Sequence, residues 1–423
     1  MRVLVITRAP WRNDNNTGNT MTNFFSDLKD IEFYNLYFRD QLPQNDIAKR
    51  SFAISEGQLV KNLLKKSPVG REIIEQDTIV STGEDGIYKS AKKVGTIFLT
   101  WLRDVLWSVG RWKSNNLKKF LQEIKPDVVF MPVFNCYYPH KVLQFVKKQT
   151  GAKVILFHAD DNYTLRQFSL SPLYWLYRFN LRKWVRKSVG ISYINYVISD
   201  IQKTDYEKAF KKECKILTKF ADFSGEAPIK TEYNKPLQLV FTGNIGVNRW
   251  RSLGEIAKTL EKINKNGVKA QLRIYTGNTL SDKMSEALNV GESSFVMGSV
   301  SASEVLKIQN EADVLVHVES KDLKNKLLVR QSFSTKIVDY MKSARPILAY
   351  GPKDVASIDH FIKNDCGIVA GDENELYEKL VSVIDNDRML NSLAERAFEC
   401  GKKNHSQFAI NNMLRNDFNK LIK

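Results

Sequence analysis

The sequence predicts an α/β protein built as two Rossmann-like, doubly wound domains. Three observations lead there. At 423 residues the chain exceeds one ordinary core, so two domains of roughly 150–200 residues each are expected. Short runs rich in Val, Ile and Phe alternate with longer stretches of helical periodicity, which is the pattern of parallel sheets. Between the halves, residues 223–236 (FSGEAPIKTEYNKP) lose that periodicity and carry two prolines and a glycine, as a linker does.

In order along the chain, strands are expected at 3–7, 31–36, 127–132, 153–158, 193–198 and 215–218. Helices are expected between them at 18–28, 48–66, 98–125, 138–149, 171–189 and 202–211. Lys125-Pro126-Asp127 reads as a helix stop ahead of the buried run Val128-Val129-Phe130-Met131. The first domain thus spans 1–225 and the linker 226–236. A second series then occupies 237–404, with strands at 238–243, 270–276, 294–297, 313–318 and 345–349 and helices at 250–265, 281–289, 302–310 and 334–343. A last helical stretch, 405–423, either closes the second domain or crosses back onto the first. Two such sheets joined by a short linker would face each other across a cleft, and open α/β sheets bind ligands beyond the carboxyl ends of their strands.

Composition narrows the function. Hydrophobic residues make up 43% and charged residues 26%, which excludes disordered and fibrous classes. The four cysteines, Cys136, Cys214, Cys366 and Cys400, are scattered without metal-ligand spacing, so neither disulfides nor a metal site is expected. No apolar leader precedes the first strand, and charges interrupt every apolar run well before the ~20 residues of a spanning helix. A cytoplasmic protein is the expectation. The net charge of +17 calls for an anionic partner: nucleic acid, anionic lipid or a phosphorylated substrate. No nucleic-acid module is recognisable in the pattern.

The second domain opens with Leu239-Val240-Phe241-Thr242-Gly243-Asn244-Ile245-Gly246-Val247-Asn248-Arg249. Glycines after a strand let amides approach a phosphate, the following helix start favours an anion, and Arg249 adds a cation. The same turn reads equally as an ordinary tight βα connection. Further on, Ser334 and Thr335 are N-cap residue types, Lys336 sits in the first helical turn, and Asp339 follows on the same face. Phosphates near Ser334, Thr335 and Lys336 with a ribose near Asp339 form a coherent nucleotide half-site. A capped surface helix with a Lys–Asp pair is the plainer alternative.

The order TGNIG–x–x–Arg, then ADVLVHVES, then STKIVDYMKSARPILAYGP resembles the carboxyl domain of family 4 (group 1) glycosyltransferases, especially those building capsule, exopolysaccharide and O-antigen. The resemblance covers about 237–400 and implies the GT-B fold and transfer of a sugar from a nucleotide-sugar donor to a saccharide or lipid-linked acceptor. The donor is then a substrate and no cofactor is implied. By this resemblance Gly243, with Asn244 beside it, and Arg249 take the places of the family's glycine and phosphate-binding lysine. Asp339 stands for the second glutamate of the E-x7-E motif, and the first falls at Gln331, which carries no charge. Gly298 and Val300 resemble the turn that meets the nucleobase.

In the first domain a buried strand ends in His158-Ala159-Asp160-Asp161. The resemblance points to His158 and Asp160 as catalytic, facing the donor sugar; a histidine on the sheet edge with aspartates in an Asx-turn is the structural alternative. A metal is unnecessary where cations and helix amides match the phosphates. The first βα loop ends in Asn16-Thr17-Gly18-Asn19-Thr20, where Thr17, Gly18 and Asn19 read as a cleft loop near donor or acceptor, or as a plain surface loop. Residues 165–187 hold six basic residues, six aromatics and no acids, and 96–113 repeats the flavour with Trp101, Trp107 and Trp112. Such helices either meet an anionic membrane interface or bury half their aromatics in the core. Transfer with retention of configuration is the implied reaction. A nucleotide-sugar 2-epimerase and a non-catalytic anion- or membrane-binding scaffold are the other classes.

Overall fold

The computed structural model describes residues 1–74 and 96–422. They divide into two compact units, Met1–Leu217 with Asn411–Lys423, and Thr218–Ile410. The division falls inside the last helix, Gln407–Ile422.

The first unit is built on strands β1 (Arg2–Thr7), β2 (Glu32–Tyr37), β3 (Ala48–Ala53), β4 (Arg71–Ile73), β5 (Val128–Pro132), β6 (Lys153–His158), β7 (Ser192–Val197) and β8 (Lys215–Ile216). They lie in the order β4-β3-β2-β1-β5-β6-β7-β8. All neighbours run parallel except β3 and β4. Residues of both parities are buried along β1, β5 and β6, because helices cover both faces of a parallel sheet. Segment 48–66, expected as one helix, is instead β3 followed by helix Glu56–Lys65. Ser55 fixes that helix start through a capping box with Gln58, so the residues before it are released to pair with β2. The expected helix 98–125 is two, Thr96–Val109 and Asn115–Ile124. Ser114 caps the second by accepting from the Leu117 amide, and the Trp112 indole donates to Trp107 O across the break at 2.9 Å. The end of the last helix belongs to this unit: Tyr196 Oη donates to Asp417 at 2.8 Å, and Asn411 Nδ2 donates to Asp27 at 2.7 Å.

The second unit contains β9 (Leu237–Thr242), β10 (Ala270–Tyr275), β11 (Ser294–Gly298), β12 (Val314–Val318), β13 (Ile347–Tyr350) and β14 (Ile368–Ala370). Their order is β11-β10-β9-β12-β13-β14, with every neighbour parallel. This is the doubly wound order in which the winding reverses between the first strand and the fourth, here β9 and β12. Val240, Phe241, Leu315 and Val316 fill that seam and are buried. The sequence pattern left 350–404 unassigned; it holds β14 and helices Ala356–Asn364, Glu373–Ile384 and Asp387–Asn404. Among the described residues, no helix is long and apolar enough to cross a membrane.

Candidate functional site

The winding reverses between β9 and β12, and open α/β sheets bind ligands beyond the carboxyl ends of the strands at such a point. Gly243 follows β9 with a φ of 134°. The Lys336 ammonium donates to Thr242 O at 2.7 Å and lies 5.0 Å above the Phe241 ring. A methyl group on residue 243 would come within 2.1 Å of Lys336 Nζ. The backbone angle calls for glycine there, and any side chain would displace the Lys336 ammonium from its place against the turn. After the turn, Val247 and Asn248 adopt left-handed angles and deliver Arg249 to the start of helix Arg249–Ile263.

The expected amide cradle is largely closed. Gly243 N–H donates to Tyr275 O, Ile245 N–H to Asn278 Oδ1, Gly246 N–H to Asn244 Oδ1 and Arg249 N–H to Gly246 O. Asn244 thus shapes the loop from within. Thr335 takes the N-cap position of helix Lys336–Lys342 with a helical φ of −59° and makes no side-chain cap bond. The Ile337 amide donates to Ser334 O. Positive charge at this turn comes from side chains more than from backbone amides.

Those side chains are organised by Glu319, which directly follows β12 and is 2% exposed. Arg249 grips it in a fork: Nε to Oε2 is 3.0 Å, Nη2 to Oε2 2.9 Å and Nη2 to Oε1 3.2 Å. Ser357 Oγ donates to Oε1 at 3.3 Å, and His317 Nε2 lies 3.4 Å from it. Burial alone would raise the Glu319 carboxyl; the His317 ring and the Arg249 guanidinium overcome it and hold the group below the usual carboxylate range. Burial pushes the His317 imidazole down, against the pull of Glu319. Lys336 is pushed down to about 8, first by burial and then by the charge of Arg249. Two cations therefore converge on a crevice that holds one buried carboxylate. An entering anion would relieve their repulsion.

Asp339 differs from its expected role. Lys219 Nζ donates to both its oxygens, at 2.6 and 2.7 Å, so a ribose hydroxyl has to share that carboxylate with a cation. Gln331 is buried. Gly298 ends the edge strand β11 with a φ of 85°, and its carbonyl accepts from the Thr276 amide at 2.8 Å. Val300, half-exposed, follows it on the same carboxyl side of the sheet. Glu319, His317 and Lys219 were missed by sequence reasoning. A His and a Glu alternating at the end of an otherwise apolar strand was the available signal for the first two; Lys219 lies 120 residues from Asp339 and left none.

The first-unit candidates fare differently. His158 is fully buried between the Tyr206 ring (5.0 Å between centroids) and the Phe210 ring (6.1 Å). Burial pushes it down to about 4, against the pull of the neighbouring Asn195 side chain. An imidazole enclosed this way cannot touch a sugar, so the catalytic expectation for His158 is not met by the geometry. Asp160 is exposed just beyond it, and its backbone carbonyl accepts from Gln202. Asp161 is structural: it accepts from the Tyr163 and Thr164 amides, and it pairs with buried Arg178 at 3.0 Å. Thr17, Gly18 and Asn19 are helical, in Asn16–Phe25, not a loop. A methyl on Gly18 would lie 1.8 Å from Arg12 O, so the close approach that glycine permits there is to the chain itself.

The aromatic-basic helices divide. Trp107 and Trp112 are core, and Arg178, Arg182 and Arg186 fold onto carbonyls and the Tyr163 hydroxyl. Leu170 (88%) and Leu176 (69%) stay exposed, with Phe98, Trp101, Leu102 and Phe179.

No protein-family model matches the chain, and no curated protein matches it in sequence. Solved structures do match in shape. Sucrose-phosphate synthase from Thermosynechococcus elongatus superposes with a TM-score of 0.62 at 10% identity, covering 100% of this chain and 99% of its own. HepE from Anabaena, solved with UDP, gives 0.65 at 10% identity, covering 99% and 100%. An α,α-trehalose-phosphate synthase from Burkholderia xenovorans gives 0.58 at 10% identity, covering 99% of each chain. With its two doubly wound sheets, the chain has the GT-B fold of these glycosyltransferases.

Proposed function

We propose that the chain is a glycosyltransferase that moves a hexose or related sugar from a nucleotide-sugar donor to a saccharide or lipid-linked acceptor in bacterial surface-polysaccharide assembly. The observation that carries this reading is that Arg249 and Lys336 lie close enough to repel each other beside β9, where the second sheet reverses its winding. A fold neighbour was solved with UDP and with UDP-glucose, and two others are named for synthesis of sugar phosphates.

In the reaction, the bond between the anomeric carbon and the diphosphate oxygen breaks as the acceptor hydroxyl oxygen bonds to that carbon and passes its proton to the departing diphosphate oxygen. Negative charge grows on the departing diphosphate. Arg249 and Lys336 are fixed cations within a partly enclosed crevice, and fixed cations stabilise growing charge without reorganising. Glu319 holds the Arg249 fork in place, and Thr242 O holds the Lys336 ammonium. Gly243, Asn244, Ser334 and Thr335 shape the crevice, Gly298 and Val300 flank the nucleobase, and Asp339 shares its carboxylate between Lys219 and the ribose. In the first unit, Asp160 is the exposed group offered to the acceptor. Thr17 and Asn19 stand near the acceptor face, on the helix that Gly18 seats against Arg12. Retention of configuration and phosphate neutralisation by side chains belong to the same reading. So does residence on the cytoplasmic face of the membrane, with Phe98, Trp101, Leu170 and Leu176 resting against anionic lipid.

The test is incubation of the full chain with UDP-, GDP- and ADP-sugars, with and without an extract of lipid-linked saccharides. Nucleoside diphosphate released only with acceptor supports transfer. A donor epimerised without acceptor, or activity unaltered by Lys336→Ala, contradicts it.

A further inference from the structure

Three side chains unrelated to the crevice meet in the second unit. His360 lies in helix Ala356–Asn364, Cys366 follows that helix past the left-handed Asp365, and Cys400 lies in helix Asp387–Asn404. One ligand atom from each falls within 4.8 Å of the other two. Cys366 and Cys400 are buried and His360 is half-exposed, so the cluster is enclosed yet reachable.

From this geometry we infer that His360, Cys366 and Cys400 form a binding site for one soft divalent cation of the zinc type. Tetrahedral zinc with Zn–S near 2.3 Å and Zn–N near 2.0–2.1 Å requires an S···N edge of about 3.5 Å and an S···S edge of about 3.8 Å. Cys400 Sγ and His360 Nε2 are 3.5 Å apart. The cluster thus stands close to the size of a coordination shell before any ion enters. Its surroundings are also those of a ligand set. Asn404 Nδ2 donates to Cys400 Sγ at 3.4 Å and is itself oriented by Asn364 Oδ1 at 3.2 Å, as outer partners of metal thiolates are. Phe333 packs edge-on against His360 at 5.1 Å and holds the ring.

A bound dication takes two thiolates and a neutral imidazole, so the protons leave the two thiols and the site assembles without net charge. The fourth position belongs to water or to His405. The ring centre of His405 is 5.3 Å from that of His360, and its Nε2 has no partner among the described residues. The ion would tie helix Ala356–Asn364 to helix Asp387–Asn404, directly behind Phe333 and the turn that carries Lys336. The spacing of ligands along the chain, with Cys400 far beyond the His360–Cys366 pair, hides the site from sequence patterns.

The test is titration of the reduced, chelator-treated full chain with Co²⁺ alone. The inference expects thiolate-to-cobalt charge-transfer absorption and the intense visible bands of tetrahedral cobalt, saturating at one ion per chain and bleached by Zn²⁺. His360→Ala and Cys400→Ser should each abolish the bands, while Cys136→Ser with Cys214→Ser should leave them. Absence of charge-transfer absorption in the wild type overturns the inference, as do bands that survive Cys400→Ser. So does a Cys366–Cys400 disulfide whose reduced form takes up no cobalt. The wild-type titration decides by itself, so a variant that fails to fold leaves the test intact.

Discussion

If Lys336 receives a diphosphate, the affinity for that diphosphate must track its proton. In the free protein its ammonium is lowered from 10.5 to about 8 by burial and by the nearby Arg249, an unfavourable environment worth about 3 kcal/mol. The anion binds the charged form, and raising the pH through 8 empties it before binding. Between about pH 7 and about pH 9 the protonated fraction falls about tenfold, so the dissociation constant should rise about tenfold, or roughly 1.4 kcal/mol. The ligand contributes little to this change, because a terminal phosphate loses its last proton near pH ~6. Isothermal titration calorimetry of UDP or GDP at several pH values reads the effect directly, including proton uptake in buffers of different ionisation enthalpy. Lys336→Arg should flatten the profile, since a guanidinium stays charged throughout. A flat wild-type profile, or the same slope in the arginine variant, would refute the reasoning.

Glu319→Gln removes the buried partner of the Arg249 fork; it should lower stability by about 3–5 kcal/mol, seen as a fall in Tm, while freeing Arg249 to bind anions more tightly per folded molecule. His158→Gln should leave kcat nearly unchanged at temperatures where the variant is folded, because the ring touches no substrate; a loss of 10²-fold or more, typical of ~10²–10⁴ for a removed acid–base group, would restore it as catalytic. Burial pushes His158 down to about 4 and His140 to about 3. Both are lowered bases, so their unfolded forms take up protons first: stability is full above about pH 6.5 and is lost as the pH falls below it. The loss is about 2 kcal/mol per histidine at about pH 5, and urea midpoints between about pH 7 and pH 5 measure it. Gly18→Ala drives a methyl into Arg12 O and should cost several kcal/mol, on the order of the ~3 or more seen where backbone must move; a Tm within a degree or two of the wild type would contradict that contact.

Much of this was readable beforehand, for physical reasons. Strand β5, VVFMP, is apolar and buried at every position because helices cover both faces, and that signal survives in one sequence. Edge strands lack it: β3 reads AKRSFA, and with Arg and Lys present it passes for helix until Ser55 and Gln58 are seen closing a cap. Gly243, Arg249 and Lys336 stand out in the sequence because glycine, cation and helix start follow one another in a fixed order, and in the fold Lys336 reaches back to the turn at Gly243. What the order does not carry is pairing across distance. Nothing near Asp339 announces Lys219, and nothing near Arg249 announces Glu319. His158 misled for the opposite reason. The carboxyl end of β6 is the right place for chemistry, but Tyr206 and Phe210, some fifty residues on, close over the ring.

A diphosphate meeting Arg249 and Lys336 is the central contact of the proposed reaction, and calorimetry over UDP, GDP, ADP and CMP compounds tests it most directly. At least one of them should bind at one per chain, and Arg249→Ala or Lys336→Ala should each weaken it by about 10–100-fold, as loss of a charged hydrogen bond worth about 1.5–3 kcal/mol requires. No heat of association across the series, or binding that ignores both substitutions, would contradict it.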